Sequence, residues 1–303
     1  MLSKTWSLQM LQINQTYGRV ARFDNNEHLS ENDLYKLAPS VFATTAHESR
    51  SERFQPIPTI EIVRRLAGEG FQCVGAKQCI VRDPTKGPYA KHLLRFRQQS
   101  DASVYRVGGT VAEMLLKNAN DGSSIYDLFA GLFRINCLNS MVALLEGLSN
   151  VKVRHTGKDI VTKVIEGTYS VTADAKLALA APRDWAEIKL EREEAKAFAE
   201  AARVLRFADH EGNVNTPITA DQMLTVRRQD DVGNDLWKQF NVVQENAIRG
   251  GLHGVAVNAD GARRRMSTRP INGIDQDVKL NRALWTLANK MAELKGWQAP
   301  KAA

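Results

Sequence analysis

The apolar residues of this chain change their period once, and that change limits the folds open to it. Between Phe71 and about Asn136 the sequence reads as strands. Leu94 and Phe96 fall on one side of a strand over 91–98, with Arg95 and Arg97 on the other. Strands are expected over 71–83, 91–98, 110–118 and 125–136. From about Asp159 the period becomes that of a helix. Leu236, Phe240, Val243 and Ala247 form one stripe, and Leu284, Leu287, Met291 and Leu294 another on a last helix capped by Asp275. Strands first and helices after predict an α+β fold, with a central, mostly antiparallel sheet in the N-terminal half and a helical C-terminal half. The expected division is a β-rich α+β domain over 1–157 and a helical region over 158–303, which can pack with it as one domain.

Local signals punctuate this plan. Residues 1–28 are polar and aperiodic. Ser30 caps a short helix to about Leu37, ended by Pro39, and a second helix runs from Pro58 to Gly68. Asp121-Gly122 marks a hairpin turn, because glycine accepts the positive φ that such turns need. Residues 138–148 are expected to be helical and 151–155 a short strand. Helices follow over 159–180 and 183–207, broken at Pro182, and Thr219 caps a short one. Gly250-Gly251 ends the helix over 234–249, and 250–273 is expected to be a Gly- and Arg-containing loop.

Composition narrows the function classes. The 303 residues are 43% hydrophobic and 25% charged, enough to bury a core. The net charge of +7 favours polyanionic partners. The cysteines Cys73, Cys79 and Cys137 match no zinc spacing and read as reduced, buried residues. No apolar run approaches the ~20 residues of a membrane span. A cytoplasmic chain without membrane or cofactor is expected.

The common enzyme signatures are absent: no phosphate loop, dinucleotide turn, zinc-protease pair or serine elbow occurs, and no two histidines stand at metal-ligand spacing. No catalytic and no metal-ligating residue is assigned. Four segments carry the candidate chemistry. His47–Arg53 offers Arg50 and Arg53 for phosphate, with Glu48 and Glu52 as acids. The strand bearing Lys91, Arg95 and Arg97 offers a charged sheet face. Asn118–Ser124 offers backbone N–H groups to an anion, with Arg134 on the strand that follows. Arg263, Arg264, Arg265 and Arg269 cluster in the loop over 250–273 and form the best nucleic-acid signal in the chain. Phe54, Tyr89 and Phe96 are candidates for stacking on bases.

Several of these stretches resemble a known family. S-V-F-A-T-T-A-H-E-S-R-S-E-R-F (40–54), K-H-L-L-R-F-R (91–97), N-D-G-S-S (120–124), G-L-F-R-I-N-C-L-N (131–139), E-N-A-I-R-G-G-L (245–252) and R-P-I-N-G-I-D-Q-D-V-K-L-N-R-A-L-W (269–285) together resemble the plasmid- and phage-like family called domain of unknown function 932, in its enterobacterial prophage branch. The resemblance implies a protein of bacterial mobile elements and brings no agreed activity. One departure is Ser140 after Asn139, where the family pattern has glycine.

The leading expectation is a phage, prophage or plasmid protein that binds nucleic acid, single-stranded DNA by preference, in recombination or protection without catalysis. Its contacts would be Arg50, Arg53, Lys91, Arg95, Arg97, Arg134, Arg263, Arg264, Arg265 and Arg269. The rivals are an inhibitor that binds a host defence protein and a metal-dependent nuclease using Glu48, Glu52 or Asp121. Self-association into a homo-oligomer is compatible with either class.

Overall fold

The computed structural model describes residues 28–99, 109–134, 140–141, 150–155, 160–257 and 260–298. The chain forms two compact units. One comprises Met1–Asn136 with Leu148–Lys176, the other Cys137–Gly147 with Leu177–Ala303.

In the first unit, β1 (Phe71–Gln78), β2 (His92–Gln98), β3 (Thr110–Asn118) and β4 (Tyr126–Arg134) pair in chain order, each antiparallel to the next. β6 (Val151–Val153) runs antiparallel to β4. The two-residue β5 (Ser140–Met141) precedes it in the chain. The period-2 pattern sets the register: Leu94 lies opposite Leu116, and Leu116 opposite Leu128. All three are fully buried, so each contributes about 1.5–3 kcal/mol relative to an exposed position.

Helices α1 (Glu31–Leu37), α2 (Thr59–Gly68) and α3 (Ile160–Ala178) supply Leu34, Ile60, Leu66, Val164 and Val171 to the core that these leucines form. The Ser30 cap holds as expected, its hydroxyl accepting the Asp33 N–H while the Ser30 backbone N–H donates to the Asp33 carboxylate. A bulge between Cys73 and Gly75 shifts β1 against β2 and keeps Cys73 on the core side, opposite Phe96. Burial pushes the Cys73 thiol up to about 12.

The second unit is helical: α4 (Ala180–Glu187), α5 (Arg192–Phe207), α6 (Ala220–Met223), α7 (Leu236–Arg249) and α8 (Ile274–Leu294). Its aromatic centre is Trp185, whose ring lies 4.6 Å from Trp285 and 5.7 Å from Phe240. The break expected at Pro182 is found at Leu179, between α3 and α4: Pro182, in the first turn of α4, has no N–H to give the carbonyl of Ala178, where α3 ends, and a second break separates α4 from α5. Two expectations change here. Of the expected stripe of α8, Leu284 is buried, Leu287 and Met291 are half-buried and Leu294 is 83% exposed, and the buried face also takes in Val278, Asn281, Trp285, Ala288 and Ala292. Residues 250–273 are no plain loop: β7 (His253–Val257) and β8 (Arg263–Ser267) form a two-stranded ribbon. The expectations for 1–27 and for most of 138–148 fall outside the described residues. Among the described residues no helix is long and apolar enough to cross a membrane.

Candidate nucleic-acid interface

The ribbon gathers the basic cluster. Its register sets Arg263 opposite Val257, Arg264 opposite Ala256 and Arg265 opposite Val255. Alternation puts Arg263 and Arg265 on one face with Val255 and Val257, and Arg264 with Met266 on the other. Every residue of β8 is exposed. Val255 and Val257 are 51% and 64% exposed, so cations alternate with uncovered apolar side chains. Among the described residues no carboxylate pairs with Arg263, Arg264 or Arg265.

The ribbon is held at its base. Gly254 packs so closely on Pro217 that a β-carbon there would collide with the proline carbonyl. The Gln222 side chain donates to the His253 carbonyl at 2.6 Å. Arg206 donates to the carbonyls of Ala247 and Arg269, and Arg227 to those of Gly250 and, through Nε, the Asn246 side chain. These guanidinium groups occupy carbonyls at the C-terminus of α7, where the helix itself has no donor left.

Behind them Glu245, 2% exposed, accepts two bonds of 3.0 Å from Arg228 and another from Arg249. Burial pushes the Glu245 carboxyl up, but the hydrogen bonds and charges of the two arginines together hold it below the usual range. The sequence gives little sign of this network. The only signal was a Glu-Asn pair on the face of an amphipathic helix, which is ordinarily a solvated face.

A second cluster belongs to the first unit. The backbone N–H of His47 donates to the Asn120 carbonyl, which ties the loop before α2 to the turn between β3 and β4. The His47 ring is buried, with Nδ1 2.9 Å from Ser49 Oγ and Nε2 3.2 Å from Thr85 Oγ1. Thr85 Oγ1 lies 2.6 Å from Asp83 Oδ1. The Thr85 hydroxyl and backbone N–H hold the Asp83 carboxyl below its usual range. Arg50 places Nε and Nη2 at 3.2 and 3.1 Å from Ser49 Oγ. Ser49, Arg50 and Arg53 are exposed. Among the described residues no carboxylate pairs with Arg50 or Arg53.

The remaining predicted positions lie elsewhere. Arg95 and Arg97 do not present a charged face: both bind Glu113, at 2.5 Å each, with side chains 8% and 15% exposed. The Arg95 guanidinium also lies 3.3 Å from the centre of the Phe133 ring, and burial is the larger influence that lowers its pKa. Arg134 is buried at the end of β4, and Lys91 is half-buried before β2. Phe96 belongs to the core and is closed to any base. Phe54 stacks on His155 at 4.4 Å, and Tyr89 meets His47 edge-on. Glu48 and Glu52 are exposed, while Asp121 accepts the Ser123 N–H. Among the described residues no three His, Cys, Asp or Glu side chains gather as a metal site requires.

Comparison with known proteins gives the chain its relatives. The sequence model of the Domain of unknown function (DUF932) matches residues 46–285. The chain belongs to the DUF932 family. The span that makes it a DUF932 protein includes both His47 and the ribbon. Two Escherichia coli (strain K12) proteins, UPF0380 protein YfjQ and UPF0380 protein YafZ, are each 39% identical to it over 282 residues, 93% of this chain and 98% of theirs. No solved structure matches this DUF932 chain.

Proposed function

We propose that this chain binds nucleic acid, single-stranded DNA by preference, through the ribbon β7–β8. The observation that carries the reading is the exposure of Arg263, Arg264 and Arg265 on one strand with no described carboxylate to neutralise them. Guanidinium groups match phosphate oxygens, and releasing the counterions of the nucleic acid drives such binding. Val255 and Val257 between the arginines favour a single strand, whose unstacked bases offer apolar faces that a duplex hides. Arg269, exposed two residues beyond β8, is a further candidate contact, and Arg50 and Arg53 are a second candidate group in the first unit. Arg95 and Arg134 are left out of the contact set because they are buried, and Arg97 because it is half-buried and bound to Glu113. The setting proposed is recombination or protection of mobile-element DNA, as the family resemblance implies.

Fluorescence anisotropy with labelled single- and double-stranded oligonucleotides, titrated with salt, tests this. Saturable binding to the single strand is expected. Replacing Arg263, Arg264 and Arg265 with Glu should abolish most of it. Loss of three phosphate contacts also makes the slope of log K against log salt shallower by about 2. Unchanged affinity would remove the ribbon from the interface. No binding at low salt would overturn the reading and direct attention to an acidic protein partner.

A further inference from the structure

We infer that Ser49 is a nucleophile, activated by His47 and aimed at phosphate esters. The ribbon plays no part in this inference, which stands or falls without it.

The hydrogen bonds around His47 fix where each proton lies. The backbone N–H of Ser49 donates to His47 Nδ1 at 3.2 Å. An N–H only donates, so Nδ1 carries the lone pair and Nε2 the ring hydrogen. Nε2 therefore donates to Thr85 Oγ1, and the Thr85 hydroxyl donates to Asp83, whose carboxylate only accepts. At the other end, the Arg50 Nε–H and Nη2–H converge on Ser49 Oγ from one side and share one lone pair, which leaves the other for attack. The Ser49 hydroxyl hydrogen then points at His47 Nδ1, 2.9 Å away. All the donors run one way, from Ser49 through His47 and Thr85 to Asp83. This is the order of nucleophile, base and orienting groups that covalent catalysis needs.

Exposure fits the roles. Ser49 is open to solvent, while the His47 ring that would take its proton is 6% exposed and held in place from both nitrogens. The Tyr89 ring, 5.5 Å away and edge-on, closes one side of the imidazole. Arg50 defines the electrophile. A guanidinium beside the attacking oxygen stabilises the alkoxide as it forms and binds the oxygens of an incoming phosphoryl group, whereas a neutral acyl carbon has less use for a full cation. Arg53 follows on the same loop.

In the step so described, a bond forms between Ser49 Oγ and phosphorus, and the bond from phosphorus to the leaving alcohol oxygen breaks. The hydroxyl proton passes to His47 Nδ1, and the leaving oxygen, in line on the far side of phosphorus, takes its proton from water. The products are a phosphate ester on Ser49 and a free alcohol; a second displacement, by water with its proton passing to the imidazole or solvent, releases phosphate and restores the Ser49 hydroxyl. Thr85 and Asp83 are positioning residues that keep the imidazole in the required tautomer.

An alkyl fluorophosphonate, which loses fluoride to an activated serine, is the probe. Peptide mass spectrometry of the treated full-length protein should find the adduct on Ser49. Ser49→Ala should abolish it and His47→Gln should slow it at least tenfold. Thr85→Val should slow labelling severalfold, and Thr85→Ser, which keeps the hydroxyl, should restore it, with thermal midpoints measured alongside. No adduct on Ser49 of the folded wild-type chain overturns the inference. Labelling equally fast in His47→Gln, or equally fast in Thr85→Val, overturns it as well, because a loop serine of ordinary reactivity depends on neither. Oligonucleotide binding by the same samples reports separately on the ribbon.

Discussion

The guanidinium of Arg50 lies across the backbone of Gly122: a β-carbon on that glycine would stand 2.5 Å from Arg50 Nη1 and 2.9 Å from Cδ. Gly122 also has φ +78°, which side chains disfavour. The positive φ selects glycine in the turn between β3 and β4, and a β-carbon there would also displace the exposed Arg50 side chain. Gly122→Ala is expected to destabilise the first unit by about 1–3 kcal/mol. In an Arg50→Ala background the collision disappears and only the φ cost remains, so the penalty should fall. Hydrogen exchange at the β3 and β4 amides in the four variants of this cycle measures both parts. A penalty that is the same in both backgrounds would show that Arg50 does not rest on the turn.

His92 titrates against folding. Its ring is fully buried between Ser40 and Thr59, and burial lowers its pKa from 6.5 to about 4. The unfolded chain therefore takes up the proton first as the pH falls. The stability that His92 provides is complete above pH 6.5 and is lost on descending toward pH 4, by about 3 kcal/mol in all. His155, also lowered by burial, acts in the same direction. Denaturant unfolding of the wild type should weaken across this window. His92→Gln should flatten part of the decline, and an equally steep decline in that variant would assign it to other groups.

What the sequence revealed and what it hid follow one physical line. β3 is expected at 110–118 and is found as Thr110–Asn118, because Met114, Leu115 and Leu116 form a short apolar run that is buried on both faces of the sheet. The Ser30 and Thr219 caps were legible because capping depends on residues three apart. Arg95 and Arg97 were misplaced for a related reason. Alternation separates the two faces of a strand but does not say which face is wet, and Glu113, on a neighbouring strand, binds both arginines. The ribbon was hidden because its strands bury little, so no apolar period marks them. The relay through Thr85 and Asp83 depends on contacts across 38 residues of chain, beyond the reach of local pattern.

Glu245 should prove the most sensitive polar position of the second unit. Glu245→Gln removes a charge that faces two arginines in a buried setting, and about 3 kcal/mol of stability should go with it. The depressed carboxyl makes a pH signature. In the wild type its contribution is present above the ordinary value of 4.5 and fades as the pH falls through the lower folded value. The Gln variant lacks this acid limb. Trp185 and Trp285 lie in the core of the same unit, so tryptophan fluorescence follows its unfolding. A variant as stable as the wild type would show that the pair's desolvation cancels its attraction.

Gly254 separates the placement of the ribbon from its charge. No side chain fits between Gly254 and the Pro217 carbonyl, so Gly254→Ala must move β7 away from its support. The three arginines of β8 remain, and the net charge is unchanged. Faster hydrogen exchange over 253–257 and 263–267 is expected, with a severalfold loss of affinity for single-stranded DNA at constant salt. The salt slope should stay close to that of the wild type, because the same number of guanidinium groups is still available to meet phosphate. A fall in affinity with a retained slope means that the ribbon must be rigid to bind. Affinity that survives faster exchange means that charge alone recruits the strand, and an unaltered exchange pattern means that Pro217 is not what holds the ribbon.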